Sequence, residues 1–517
     1  MQRDLDSLEH SKFDLLVVGA GIYGISIARD AVLRGLKVCL IEANDFGSGT
    51  SHNSLKVIHG GIRYFQHLNF KRVYESVCER EMWMQTSARL IKPLKFVLPT
   101  YGYASRGPLA LGAAVKMHNS VAAIQSRKRA YPNGYLISKN DCEKLLPNIE
   151  GSGITGGAVW YDGQIVDADR LHIELLKDAY RRGLCLANYV SAEKIMIASG
   201  KAVGVQAKDG VTGREFEIEA SVVVNATGPW AYKLLASVVR EDKYKRQSLS
   251  KNFNIVIDSI GKEFAFGLKS KRASDAVVGE SKRVYFFTPW LNKTVIGTAH
   301  FKHDIEAPLD TSVSRELPGF IEEINEACPA LGLTKDDVRY IYSGFTPAED
   351  TKENSDTSRA HHTSLINHAE TDGIKNLLSV VGVKYTTARS TAEHVVRGVF
   401  KKLKKEIKDI PSYAIEELRD DLSSVDDLSL DATVSKEEVD AVYRKKRTEH
   451  LQRSIDTEMV LNIDDYVLRR NNLAIRGLLG LDDLKETAKM LAQKLNIHDE
   501  KSQVQQKDIY TRLGLSR

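Results

Sequence analysis

Residues 13–42 hold the first group whose types and spacing can do chemistry. FDLLVV runs into Gly19-Ala20-Gly21-Ile22-Tyr23-Gly24, ISIARDAVLRG follows, and LKVCLIE ends on Glu42. Gly19 permits a tight turn, Gly21 lets a pyrophosphate approach the backbone, and Gly24 lets a helix and a strand pack closely. The helix that opens there directs unpaired N–H groups and the positive end of its dipole at an anion. Glu42 comes 18 residues after Gly24, where an acid accepts hydrogen bonds from an adenosine ribose. An acid at that point disfavours a 2′-phosphate, so FAD or NAD is expected rather than NADP.

Three further features select FAD. Val222–Asn225 is an apolar run ending in the small-residue turn Ala226-Thr227-Gly228, the kind of turn that passes close to the cofactor in two-dinucleotide-fold flavoproteins. Gly382 follows the apolar run NLLSVV and precedes a helix beginning near Thr386, whose N-terminus can stabilise negative charge on a reduced flavin. The stretch from Ser48 to Lys56 carries several hydroxyls within reach of a pyrophosphate. A second GxGxxG for a nicotinamide cofactor is not seen, so the substrate itself is expected to be the reductant.

These residues need elements to hold them. The first 30 or so residues of the pattern read as one βαβ unit, the length a right-handed crossover requires. Residues 48–64 read as loop, and Asn69 to about Leu90 as helix. Residues 157–220 read as a strand and turn, an amphipathic helix, then short strands with DG and TG turns. Residues 283–300 read as a hairpin turning at Leu291–Lys293, and Thr386–Lys402 as helix. Beyond Phe400, KKLKKEIKD reads as a solvated linker into a charged, helix-rich remainder.

At 517 residues, with 42% hydrophobic and 27% charged side chains, the composition is that of a globular chain with room for two or three domains. A net charge of +5 gives little support for nucleic-acid binding. The beginning, MQRDLDSLEHSKFD, lacks the basic start and apolar stretch of a signal peptide, and no apolar run reaches the length of a spanning helix. The five cysteines are scattered without a CxxC pair, which argues against structural zinc and a disulfide framework and for a reducing cytoplasm. His361-His362 has no carboxylate or cysteine at ligand spacing, so no metal is expected. Residues 108–124, flanked by Arg127-Lys128-Arg129, read either as an interfacial helix on an anionic membrane or as a packed helix with a basic end in solvent.

The stretches GAGIYGISIARDAVLRG, GTSHNSLKVIHGGIRYF, YDGQIVDADRL, VVNATGPWA, FFTPW with IGT, YSG, VGVKYTTARSTAEH and DYVLRRNNLAIRGL occur in this order. Together they resemble the FAD-dependent glycerol-3-phosphate dehydrogenase family over most of the chain. The resemblance implies an α/β fold: an FAD domain of the two-dinucleotide-binding type, an antiparallel β-sheet substrate domain and a C-terminal helical domain. The expected boundaries are 1–400 for the FAD domain, with substrate parts at roughly 85–155 and 245–350 interleaved, and 401–517 for the helical domain. It also implies oxidation of a secondary alcohol to a ketone, glycerol 3-phosphate to dihydroxyacetone phosphate, with electrons passed to membrane quinone or to oxygen. Peripheral contact with the inner face of the cytoplasmic membrane would suit the quinone-linked members. Oligomeric state is left open.

Carried over residue by residue, His59, Arg63 and Tyr64 match positions lining the family's substrate pocket, and Lys384 and Thr386 match the segment reaching substrate and flavin. Thr50, Ser51, Ser54 and Lys56 match the cofactor-contacting loop, and Val190 a backbone contact on the adenine side. The chemistry agrees. Alcohol oxidation removes a hydroxyl proton and a carbon-bound hydride, so His59 can take the proton while Arg63 and Lys384 hold an anionic group or a developing alkoxide. Two departures fall on the substrate side. Where the family continues YSG to an arginine-proline pair, this chain has Thr346-Pro347, and the GGK of the last motif is Gly382-Val383-Lys384. A hydroxyl in place of a charged fork costs on the order of 2–4 kcal/mol against a dianion, unless Lys352 or Arg359 supplies the charge. An oxidase or dehydrogenase of an unphosphorylated hydroxy acid or amine, and a non-catalytic flavin-containing scaffold, are the alternatives.

Overall fold

Lys12–Val18 is a strand buried along most of its length, and its alternating side chains feed two cores. Leu15 and Val17 join the core under the helices, while Leu16 and Val18 join the core on the opposite face. The computed structural model describes residues 1–62, 69–102, 107–125, 131–146, 153–239, 248–273, 282–303, 312–349, 358–359, 363–408, 410, 424–496 and 499–513. Around the first strand five parallel strands run in the order Leu377–Val381, Glu215–Asn225, Lys12–Val18, Val38–Ile41, Cys185–Ala187. Ser364–Asn367 closes one edge in the antiparallel sense. Helices Ile22–Leu33, Ala168–Arg181 and Ala388–Leu403 cover one face. The other face is covered by the antiparallel strands Val190–Ala198 and Lys201–Asp209, the second of which pairs with the first half of Glu215–Asn225. That long strand therefore serves both layers.

The second sheet takes its strands from distant parts of the chain. Its order is Ser358–Arg359, Tyr340–Glu349, Leu249–Asp258, Lys293–Lys302, Lys282–Trp290, Ala265–Ala273, Ile91–Tyr101, Ile154–Ile165, Val57–Ile58, with Tyr135–Ile137 also against Ile154–Ile165. The pairing is antiparallel apart from one junction, where Ala265 and Phe266 run parallel to Phe96 and Val97. The hairpin read at 283–300 turns at Leu291, which has φ 54.

The C-terminal helices Ser424–Leu430, Lys436–Glu458, Ile463–Arg469, Leu481–Leu495 and Asp499–Arg512 share a core with Val256, Trp290, Val295, Tyr340 and Tyr342 of the second sheet. They are also tied to the first sheet's surroundings by buried charge. Asp45 pairs with Arg469 at 2.6 Å and Arg470 at 2.8 Å, and Glu458 pairs with Arg170 and Lys177, each at 2.7 Å.

Candidate active site

The glycines of the first motif are required for two different reasons. Gly19 has φ 99, and a Cβ there would lie 2.8 Å from the Ala226 carbonyl oxygen. A Cβ on Gly24 would lie 1.8 Å from the Gly19 oxygen, so helix and strand could not meet. Gly21, at the start of the helix, has ordinary extended backbone, and a Cβ would meet only Ser51 Oγ, at 3.2 Å, among the described residues. Its value is open space over the helix N-terminus. Glu42 accepts from Ala20 N at 2.7 Å and Asn44 N at 3.0 Å, and burial pushes its carboxyl above the usual range. Val190 N donates to the Glu42 carbonyl at 2.8 Å, which places both at one end of the cavity.

The cavity has a volume of about 1750 Å³ and runs without interruption from Gly19, Gly21 and Glu42 to His59 and Lys384. Sites for a drug-sized ligand are typically about 300–1,000 Å³, so there is room here for a dinucleotide and a small substrate. Ala226, Thr227 and Gly228 line it, as do Gly382, Thr50, Ser51 and Ser54. Ser51 Oγ accepts from Ile22 N at 2.9 Å and Thr50 Oγ1 donates to the Phe345 carbonyl at 2.9 Å, so the loop bridges the two sheets. Glycine cradle, carboxylate and volume fit FAD. Lys56 is placed differently from the expected cofactor contact. It is 1% exposed and off the cavity wall, because its Nζ donates inward to the His52 carbonyl at 2.7 Å.

At the His59 end of the cavity the backbone brings two expected residues together. His59 N donates to Thr386 Oγ1 at 3.2 Å, and Thr386 Oγ1 reaches the His59 carbonyl at 3.5 Å. Thr386 is itself buried and does not line the cavity, unlike the substrate-binding position expected for it. Trp83 Nε1 fixes the segment further by donating to the Thr386 carbonyl at 3.0 Å. Two residues before Thr386, Lys384 lines the cavity. Desolvation, aided by the charge of Arg72, lowers its pKa to about 7. Beneath His59, Gly60 N donates to Asp162 Oδ1 at 2.6 Å, and a Cβ on Gly60 would come within 2.5 Å of His118 Nε2.

Thr346 also lines the cavity, and its Oγ1 accepts from Asn252 Nδ2 at 2.8 Å. Arg63, Tyr64, Lys352, His361, His362 and Arg127–Arg129 lie outside the described residues, as does the side chain of Arg359. The sequence reading missed Asn252, Asn254, Arg283, Thr298 and Arg72, all on the cavity wall. A signal existed for the first two, since polar residues two apart in KNFNIVID mark one face of an otherwise apolar strand.

A model of the DAO (FAD dependent oxidoreductase) family matches residues 14–396. The chain belongs to that family. A glycerol-3-phosphate dehydrogenase of Synechocystis sp. is 32% identical over 422 residues, which is 79% of this chain and 74% of that protein. The aerobic glycerol-3-phosphate dehydrogenase of Bacillus subtilis is 30% identical over 416 residues, 78% of this chain and 70% of that protein. The mitochondrial glycerol-3-phosphate dehydrogenase of Homo sapiens is 30% identical over 409 residues, 76% of this chain but 53% of that protein, so the match spans about half of that relative. Among solved structures, a glycerol-3-phosphate dehydrogenase from Bacillus halodurans complexed with FAD superposes with a TM-score of 0.72 at 24% identity, covering 99% of this chain and 96% of that one. An L-alpha-glycerophosphate oxidase from Mycoplasma pneumoniae with FAD bound gives a TM-score of 0.55 at 18% identity, covering 78% and 97%. This FAD-dependent oxidoreductase therefore resembles glycerol-3-phosphate dehydrogenase in sequence and fold, and its cofactor is FAD.

Proposed function

We propose that this oxidoreductase oxidises a small polar secondary alcohol, glycerol 3-phosphate or a close relative, to the ketone. The observation that carries the reading is the Thr386 clasp, which brings His59 and the Lys384 segment together at the end of the FAD cavity. Bound FAD supplies the acceptor for a hydride. The chain's own residues handle the proton and the charge. His59 accepts the hydroxyl proton, and Lys384, with Arg63, holds the substrate's anionic end or the developing alkoxide. Asn252 and Thr346 offer neutral hydrogen-bonding groups on the wall of the same cavity.

Thr346 favours one second reading, an unphosphorylated hydroxy acid or amine, because a hydroxyl gives a phosphate dianion no countercharge. Anaerobic bleaching of the bound flavin by a panel of alcohols, hydroxy acids and amines separates the two. Under the leading reading glycerol 3-phosphate bleaches it, and Thr346→Arg tightens that substrate by about 30-fold or more. No bleaching by glycerol 3-phosphate in either protein, with rapid bleaching by a hydroxy acid or amine, would reject it.

Quinone or oxygen is the proposed electron acceptor, with peripheral membrane contact in the quinone case. Among the described residues no helix is long and apolar enough to cross a membrane. Helix Pro108–Gln125 buries Leu111, Ala114, Val115, His118, Val121 and Ala122, yet leaves Leu109 83% and Ile124 73% exposed. Phe70, Tyr74, Tyr135 and Leu136 on the neighbouring elements are also exposed. This surface supports an interfacial role for the outer face of the helix. Co-sedimentation with liposomes should strengthen with anionic lipid and weaken with salt, and indifference to both would remove the proposal.

A further inference from the structure

The cofactor loop stands on buried polar groups that the proposed reaction does not use. His52 is buried, with Nδ1 2.8 Å from Asp169 Oδ2 and Nε2 3.4 Å from the Tyr340 hydroxyl. Lys56 Nζ, besides holding the His52 carbonyl, lies 4.2 Å from the centre of the Tyr342 ring. His172, three residues after Asp169 on helix Ala168–Arg181, presses on the other end of the loop. A Cβ on Gly47 would come within 2.3 Å of its Nδ1. The second Asp169 oxygen, Oδ1, faces His172 Nδ1 at 3.8 Å. Both atoms are buried without a hydrogen-bond partner among the described residues. The opposite side of the same loop presents Ser48, Thr50, Ser51 and Ser54 to the cavity.

A loop of glycine, serine, threonine and asparagine has little shape of its own, because such residues tolerate many backbone conformations. A buried carboxylate, on the other side of the balance, seldom adds stability over an apolar pair of the same size. Burial holds His52 below the usual imidazole range even beside Asp169, so near neutral pH a neutral ring donates its Nδ1 proton to the carboxylate. Such a contact is directional and fixes where the loop backbone sits. We infer that His52 and Asp169 are positioning residues for the cofactor: their contact sets the loop Gly47–Lys56 in its FAD-receiving shape, so FAD affinity is controlled from beneath the loop. The inference rests on the reading that the cavity side of this loop belongs to the FAD site.

The test is titration of apoprotein with FAD, followed by quenching of flavin fluorescence, with the melting temperature of each apoprotein recorded alongside. His52→Ala and Asp169→Ala should each weaken FAD binding about tenfold or more, the size expected for a hydrogen bond to a charged group. Asp169→Asn keeps an acceptor for the His52 Nδ1 proton and should restore most of the affinity. The double alanine variant should lose no more than the weaker single, since both remove one contact. Ser51→Val, on the cavity side, reports on the loop itself. Affinity within roughly twofold of wild type in both alanine variants overturns the inference. If Ser51→Val then loses FAD, the loop reading survives alone; if it does not, both fall. Additive losses that follow the melting temperatures, with Asp169→Asn as weak as Asp169→Ala, also overturn it. Hydrogen exchange on wild-type apoprotein depends on no variant. Amides of Gly47–Lys56 should already be protected without FAD, and exchange at the rate of an unstructured peptide would defeat the idea.

Discussion

Lys384 is the residue on which the pH behaviour turns. Desolvation and the nearby Arg72 bring its pKa down to about 7, so it is charged below that pH and neutral above it. If it holds the substrate's anionic end, KM for an anionic substrate should rise as pH passes upward through about 7, with little change in kcat. Lys384→Arg, charged at every accessible pH, should flatten that limb of the profile. Steady-state measurements from pH 6 to about 9 check it, and an unaltered profile in the variant would assign the titration to another group. The sequence placed Lys384 through its motif, but its altered basicity was not legible there. Desolvation and Arg72 create that property, and Arg72 lies on helix Phe70–Thr86, more than 300 residues earlier in the chain.

At the scale of elements, the decisive join is between the turn at His59–Gly60 and the start of the helix after Thr387. Thr386→Val keeps the shape of the side chain but removes both hydrogen bonds to His59. FAD content should be unchanged, while flavin reduction by substrate slows by roughly 10- to 100-fold, the usual consequence of a small misplacement of reacting groups. Anaerobic rapid mixing reads this directly; reduction at the wild-type rate would mean that the clasp does not position His59. Elements whose cause is local were legible. The βαβ unit, the strand Leu377–Val381 and the hairpin at 282–302 each carry their turn and their apolar run within a few tens of residues. The order of the second sheet was not, because Ile91–Tyr101, Ile154–Ile165 and Leu249–Asp258 meet neighbours from far along the chain. The wall residue Asn252 sits on one of those strands and Arg283 on the hairpin strand Lys282–Trp290, neither with a motif to mark it. The His52–Asp169 contact spans 117 residues and likewise has no local signature.

For the whole molecule, the buried ions around Asp45 join the C-terminal helices to the dinucleotide fold. Asp45→Ala leaves Arg469 and Arg470 buried without this partner, and breaking a buried pair in that way costs about 3–5 kcal/mol. The melting temperature should fall by several degrees, and FAD should be lost with it, since Asp45 lines the same cavity as Glu42. A stable holoprotein in that variant would make the joint dispensable. The placement of this joint also imposes a timetable. Arg469 and Arg470 follow Asp45 by 424 and 425 residues. Translation at about 5–20 residues per second separates them by roughly 20–85 s. Throughout that interval the nascent chain lacks the two cations that hold the buried Asp45 carboxylate, and of its side-chain partners among the described residues has only the Asn188 amide. The glycine loop must wait for residues more than 400 positions further along before its surroundings are complete. Stable flavin loading is therefore expected only after the helical region has been made.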